Sequence, residues 1–280
     1  MRLIKSSTLI NQELMKRRIK GQAIGFVPTM GALHEGHLSL IRQARRDNDI
    51  VVVSIFVNPK QFGPKEDLKK YPRPLSKDLK LCRKEGVDFV FLPKKEDIYP
   101  SGFSTYVNVE GLDEFLCAKS RPGHFRGVTT IVAKLLNIIA PDVLYLGQKD
   151  IQQAVILQRM IKDLHMPVKV KVMPIVRSKE GLALSSRNAY LNDKERKDAL
   201  VLSQALKLAV FFINNGASDA KRLILRMRQL IKKKQSVRID YVEIVDPVTL
   251  KPLKKVAGSF LIALAVYIGK TRLIDNFLRK

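Results

Sequence analysis

The chain has no tryptophan, two cysteines in 280 residues and only 7% aromatic residues. Each scarcity excludes something. Cys82 and Cys117 make neither a disulfide framework nor a Cys-x-x-Cys motif, so a reducing, cytoplasmic setting with both thiols packed in the core is expected. So few aromatics leave no cluster on which nucleic-acid bases could stack. No run of 18 or more apolar residues occurs, and no membrane-spanning helix is expected. Residues 1–20 lack both the unbroken apolar stretch and the small-residue cleavage site of a signal peptide. No internal repeat or low-complexity segment is present.

Acidic residues are also scarce beside basic ones. The chain carries 26 Asp+Glu against 51 Lys+Arg, a net charge of +25 and a pI near 10.1. Such a balance raises the question of nucleic acid. The excess, however, is spread along the chain: residues 1–175 have a net charge of +12 and residues 176–280 a net charge of +13. The densest run, Lys232 to Lys234 with Arg222, Arg226 and Arg228 before it, reads as a solvated helix face. No specific nucleic-acid partner is expected.

What is present is a core. Hydrophobic residues make up 46% of the chain, enough for one large domain or two ordinary ones. Residues 23–27 form a short apolar run with the look of a buried strand, residues 28–31 turn, and residues 38–46 are amphipathic. The sequence between them is Pro28-Thr-Met-Gly-Ala-Leu-His-Glu-Gly-His37. Strand, turn and helix aim backbone N–H groups at an anion, and a nucleotide's phosphate chain suits such a site. His34 and His37 share a helix face, with Gly36 leaving room for close approach. A zinc pair is the rival reading of these histidines, but no third protein ligand lies nearby, and no metal site is expected.

Residues 49–57 are almost continuously apolar, as in a central parallel strand covered on both faces. With the first strand and helix they make a βαβ unit. A turn-rich loop follows, Asn58 to Pro64, in which Gln61 could meet a hydroxyl or carboxylate. Helix is expected at 7–20, 75–85, 128–140 and 151–164, and strand at 87–92, 104–109, 143–146 and 168–176. Arg121 to Gly127 reads as a basic turn leading into a helix. Gly147-Gln148-Lys149-Asp150 follows a strand, where Lys149 could meet a phosphate. Gln152 and Gln153 begin the next helix, so one can face the strand ends while the other faces away. Leu184, Ser185, Ser186 and Arg187 set two hydroxyls beside a guanidinium, a set that can clamp phosphate oxygens. Beyond about 190 the texture changes: helices at 193–212 and 219–233, then strands at 238–245 and 260–268. The expected architecture is α/β, a Rossmann-like doubly wound parallel sheet over residues 1–176, with a smaller α+β domain over 177–280.

These separated stretches agree with one family. Pro28 to His37 resembles the HxGH signature of nucleotidyl-transferring enzymes, and Leu184 to Asn188 is similar to their second, KMSKS-like loop. Ser54 to Phe62, Arg121 to Gly127 and Gly147 to Gln153 narrow the resemblance to the pantoate–β-alanine ligase family. Gln148 departs from the acidic residue many members carry there. The resemblance implies a reaction in which ATP activates pantoate as pantoyl adenylate, β-alanine captures it, and AMP and pyrophosphate leave. It implies ATP contacts at Met30, Gly31, Ala32, Leu33, His34, Glu35, Gly36, His37, Gly147, Gln148, Lys149, Asp150, Val176, Leu184, Ser185, Ser186 and Arg187. Pantoate contacts are implied at Gln61 and Gln153. His37 is implied as proton donor, with His34, Lys149 and Arg187 stabilising charge. The resemblance further implies Mg2+ carried by ATP, a homodimer, and a second domain acting as a lid. Two rivals remain: a related nucleotidyltransferase with another acceptor, and a basic nucleic-acid-binding protein.

Overall fold

The computed structural model describes residues 1–64 and 66–280. The elements in chain order are β1 (Arg2–Ile4), α1 (Ser7–Ile19), β2 (Ile24–Thr29), α2 (Glu35–Asp47), β3 (Ile50–Ile55), α3 (Leu75–Lys84), β4 (Phe89–Phe91) and α4 (Lys95–Ile98). There follow α5 (Cys117–Ser120), α6 (His124–Ile139), β5 (Val143–Gly147), α7 (Ile151–Asp163) and β6 (Lys169–Met173). The last are α8 (Asp193–Ala199), α9 (Val201–Asn214), α10 (Ala220–Lys232), β7 (Val237–Val245), β8 (Phe260–Ile268) and β9 (Thr271–Arg279).

The chain divides into two compact units. The first comprises residues 1–110, 121–147 and 156–174; the second comprises 111–120, 148–155 and 175–280. Among the described residues, the first holds a six-stranded sheet in the order β1-β4-β3-β2-β5-β6, parallel throughout. Its central strand β3 is buried at every position, as its continuous apolar run requires. From β2 the chain steps outward through β3 to β4 and then returns to pair β5 against the other side of β2. The order therefore reverses between β2 and β5. In open parallel sheets ligands bind beyond the carboxyl ends of the strands at such a point.

The second unit holds β7, β8 and β9 as an antiparallel sheet with β8 in the middle. Leu202, Leu206, Met227, Ile231, Ile262 and Leu264 belong to one buried cluster that joins α9 and α10 to this sheet. Removing each of these side chains from water contributes roughly 1.5–3 kcal/mol.

Two expectations need correction. Residues 104–109 form no strand and join no sheet. Val107 instead exchanges its backbone hydrogen bonds with α6: its N–H donates to Thr130 Oγ1 (3.0 Å) and its carbonyl accepts from Thr129 Oγ1 (2.6 Å). The helix expected over 193–212 is two helices, α8 and α9, parted at Leu200, whose N–H turns back to the Lys197 carbonyl at 3.3 Å. The strands β1 and β9 were not anticipated.

Candidate active site

The turn after β2 is built from within. Thr29 Oγ1 donates to the Ser54 carbonyl (2.7 Å) and accepts from Gly31 N–H (3.1 Å). Asp78, on α3 and 1% exposed, accepts from Ala32 N–H (2.9 Å) and Leu33 N–H (2.8 Å), one carboxylate oxygen for each. These bonds hold Ala32 at φ 51°, a left-handed conformation uncommon for alanine. Burial raises the Asp78 carboxyl above the usual carboxylate range, against the two backbone donors and Lys77.

His34 then caps α2. Its Nδ1 accepts from Gly36 N–H (3.2 Å), and His37 Nδ1 accepts from His34 N–H (3.3 Å), a reciprocal capping box. The two rings lie with centroids 4.2 Å apart. A neutral imidazole that accepts at Nδ1 carries its proton on Nε2, so the cap selects the tautomer. The backbone amides expected to cradle phosphate are in large part engaged here: those of Gly31, Ala32, Leu33, His34 and Gly36 all have internal acceptors. Room at Gly36 is likewise used by the protein itself, since a Cβ there would meet His34 Cε1 at 2.9 Å. The imidazoles and the helix start, which favours negative charge, remain as the anion-directed features of this turn. Glu35, the first residue of α2, pairs with Arg42, which also holds Glu85 at 2.8 Å. The hydrogen bond from Arg42 is the main reason the Glu35 carboxyl lies below its usual range.

Gln61 is braced in the same unit. Its side-chain oxygen accepts from Asn58 Nδ2 (3.2 Å), its side-chain nitrogen approaches Met30 Sδ (2.9 Å), and its carbonyl is 2.8 Å from His124 Nδ1. Asn58, 1% exposed, also donates to the Gly127 carbonyl and accepts from the Tyr99 hydroxyl. Gly127 is required here: a Cβ would sit 2.3 Å from the Lys60 carbonyl oxygen. The Arg121–Gly127 stretch thus positions the Gln61 loop. Arg121 pairs with both oxygens of Glu66 at 2.8 and 2.6 Å and lies 3.0 Å from His124 Nε2.

In the second unit, Gln148, Lys149 and Asp150 form a single tight turn directly after Gly147, the last residue of β5. Lys149 Nζ lies 3.3 Å from Asp150 Oδ1. Gln152 is committed to structure, donating to the Leu112 and Phe115 carbonyls and accepting from Cys117 N–H. That leaves half-buried Gln153 as the amide of the pair suited to a ligand. Residues 176–184 form a small hairpin: Leu184 N–H donates to the Val176 carbonyl and Ser178 N–H to the Leu182 carbonyl. The hairpin delivers Ser185, whose Oγ accepts from Arg187 N–H at 3.3 Å, and then Ser186 and Arg187. Asn188 is buried and donates to the Ala183 carbonyl, fixing this corner.

The candidate residues therefore form two sets. Met30 to His37, Gln61 and Gly147 lie in the first unit; Gln148 to Asp150, Gln153, Val176 and Leu184 to Arg187 lie in the second. The supporting residue Asp78 carried no sequence signal for its role, because its partners are backbone groups far away in the chain; Asn58 and His124 lie within quoted stretches, but their bracing contacts to the Gly127 and Gln61 carbonyls span more than 60 residues. Among the described residues no group of three His, Cys, Asp or Glu side chains could hold a metal ion.

Comparison with known proteins bears on this arrangement. A family model described as pantoate-beta-alanine ligase matches residues 2–278. The pantothenate synthetase of Moorella thermoacetica is 53% identical over 276 residues, covering 99% of this chain and 98% of that protein. The one from Thermosipho melanesiensis is 51% identical over 278 residues and covers 99% of each. The crystal structure of pantothenate synthetase from Thermus thermophilus matches with a TM-score of 0.94 at 42% identity, covering 99% of both chains. The ligase of Francisella tularensis, crystallised with beta-gamma ATP and beta-alanine, matches with a TM-score of 0.83 at 38% identity, covering 99% of this chain and 97% of that one. With a family model matched from residue 2 to residue 278 and relatives this similar over nearly their whole length, the chain belongs to the pantoate–β-alanine ligase family.

Proposed function

We propose that this protein joins (R)-pantoate to β-alanine to give pantothenate, at the expense of ATP. The match to the ligase family from residue 2 to residue 278 is the observation that carries this reading. A pantoate carboxylate oxygen attacks the α-phosphorus of ATP, a new P–O bond forms, and the bond to the β-phosphate bridging oxygen breaks. Pyrophosphate leaves and pantoyl adenylate remains. The β-alanine amine then attacks the acyl carbon, loses a proton, and expels AMP.

Neither step needs a protein nucleophile, so the enzyme's tasks are positioning and charge stabilisation. In this reading His34 and His37 meet the phosphates through Nε2, with His37 the proton donor. Lys149 and Arg187 stabilise the five-coordinate phosphorus and the departing pyrophosphate. Ser185 and Ser186 bind the nucleotide, Val176 and the 147–150 turn meet its adenosine side, and Gln61 and Gln153 recognise pantoate. The remaining residues from Met30 to Gly36, with Leu184, line the ATP. Magnesium arrives on the ATP oxygens as part of the substrate, a common mode for this ion. The reading includes a cytoplasmic homodimer. Two free, buried cysteines suit a reducing compartment, and no helix among the described residues is long and apolar enough to cross a membrane.

The test is to supply ATP, magnesium, pantoate and β-alanine and to measure AMP and pantothenate, together with pantoate-dependent exchange of pyrophosphate into ATP. His37→Ala and Lys149→Ala should each slow the exchange by roughly a hundredfold or more, the usual scale for loss of one charge stabiliser. Normal exchange in purified His37→Ala protein would refute the role given to that residue. Exchange driven by another acid but not by pantoate would move the protein to a different acceptor.

A further inference from the structure

Two adjacent residues of β9, both outside every motif used so far, hold the two anion-directed segments of the second unit. Asn276 is 4% exposed. Its Nδ2 donates to the carbonyls of Gln148 (2.9 Å) and Lys149 (3.0 Å), and its Oδ1 accepts from Gln148 Nε2 (3.1 Å). One amide thus pins both peptide groups that set the direction of the Lys149 side chain. Asp275, 3% exposed, takes Arg177 in a two-pronged pair at 2.6 and 2.8 Å. Arg177 opens the hairpin that presents Ser185 to Arg187, pairing with Ala183 and donating to the Gly181 carbonyl at 3.1 Å. Asn276 N–H donates to Asp275 Oδ1 at 2.8 Å, so the two anchors brace one another.

We propose that Asp275 and Asn276 are positioning residues for the adenylation step: they set the turn of Lys149 and the hairpin of Ser185–Arg187 at one fixed separation. They do so without touching substrate. The inference rests on the ligase reading above. Its physical basis is leverage. A small rotation of the turn is magnified at the end of the four-carbon lysine side chain, and charge stabilisation depends on placement to within about an ångström. Buried polar groups that satisfy one another in this way define one arrangement instead of several. Gln148 takes part in the same lock through its own side chain, Nε2 donating to Asn276 Oδ1.

The experiment separates the two half-reactions. Asn276→Ala removes all three side-chain bonds; Asn276→Asp keeps the volume but turns an oxygen toward two carbonyls. In each variant, pantoate-dependent pyrophosphate exchange is measured beside β-alanine capture of supplied pantoyl adenylate, with thermal unfolding as a check on the folded fraction. We expect exchange to slow by roughly 30- to 100-fold, the scale of an ångström's misplacement, while capture stays within about threefold. In a Lys149→Ala background the added effect of Asn276→Ala should shrink to about threefold or less, since coupled residues are not additive. Equal loss in both half-reactions, an undiminished effect in the Lys149→Ala background, or unfolding of both variants at the assay temperature would each overturn the positioning role. Absence of pantoate-dependent exchange in the unaltered protein sinks the ligase reading itself, a result distinct from all three.

Discussion

At the scale of single residues, a side chain acquires a direction when its other polar atom is already committed. His37 shows this: its Nδ1 accepts the His34 N–H, so the neutral ring presents its proton at Nε2. Chemistry and capping can be separated by substitution. His37→Asn keeps a short acceptor for the helix start but has no imidazole. Its stability should stay within about 1 kcal/mol of the parent, while pyrophosphate exchange falls by roughly a hundredfold. A variant of unchanged stability that kept normal exchange would show that the ring's role is only to cap. Asp78 makes a second case. Asp78→Ala strands the half-buried amide of Ala32 and the buried amide of Leu33, and chemical denaturation should register a loss of roughly 2–5 kcal/mol. Cys82, fully buried, has its thiol pushed up to about 12 by burial, with Asp78 adding to the effect. It should resist alkylation at pH 8 in the folded protein and react once denatured, as mass spectrometry of labelled peptides can show.

Elements were legible where packing is simplest. The apolar run at 49–57 announced β3 because a strand covered on both faces needs no polar residue. Residues 104–109 misled because backbone groups can be satisfied by hydroxyls as well as by a neighbouring strand; here Thr129 and Thr130 of α6 serve Val107. Strand β9 carries Arg272, Asp275, Asn276 and Arg279, and that polar content masks its period. Its polar residues are there because they hold other segments. The motif stretches could be read from the chain, but the contacts that brace them, such as those of Asp78, could not. A carboxylate on α3 that binds amides of residues 32 and 33 leaves no local pattern. The contact of α6 with the Gln61 loop gives a prediction at this scale. Gly127→Ala places a Cβ against the Lys60 carbonyl, so the loop must shift. The KM for pantoate should rise several-fold while the KM for ATP changes little, and steady-state kinetics with each substrate varied would show it. An unchanged pantoate KM would mean that the loop tolerates the displacement or that Gln61 does not bind pantoate.

For the whole molecule, α/β class and a second α+β region followed from the alternation of patterns, whereas the order of the six strands did not, because order is a property of crossovers and not of any one segment. The charge balance sets a global sensitivity. With a net charge of +25, protonating carboxylates adds to an existing repulsion. Asp47 is held below its usual range chiefly by the hydrogen bond from Lys171, Glu35 chiefly by Arg42, and Asp246 chiefly by the Thr249 backbone N–H. Each contributes stability above the unfolded carboxylate pKa of about 4, and that contribution is lost as pH falls through the lowered folded values. Asp78, raised by burial, acts in the opposite sense. Thermal midpoints should therefore fall steeply below about pH 4, less so in Lys171→Met, which removes the largest of the interactions that depress the Asp47 carboxyl. A midpoint flat from neutrality to pH 3 would contradict this.

The reciprocal cap of His34 and His37 has an evolutionary consequence. On the proposed ligase reading these rings are catalytic groups, and such groups are commonly a burden on the fold that carries them, shed by descendants freed from their task for something steadier. Here the same two rings tie down the first turn of α2, so a lineage that ceased to make its product would still be under pressure to retain them. Only a replacement able to cap in its own right, such as asparagine, serine or aspartate, offers such a lineage an exit.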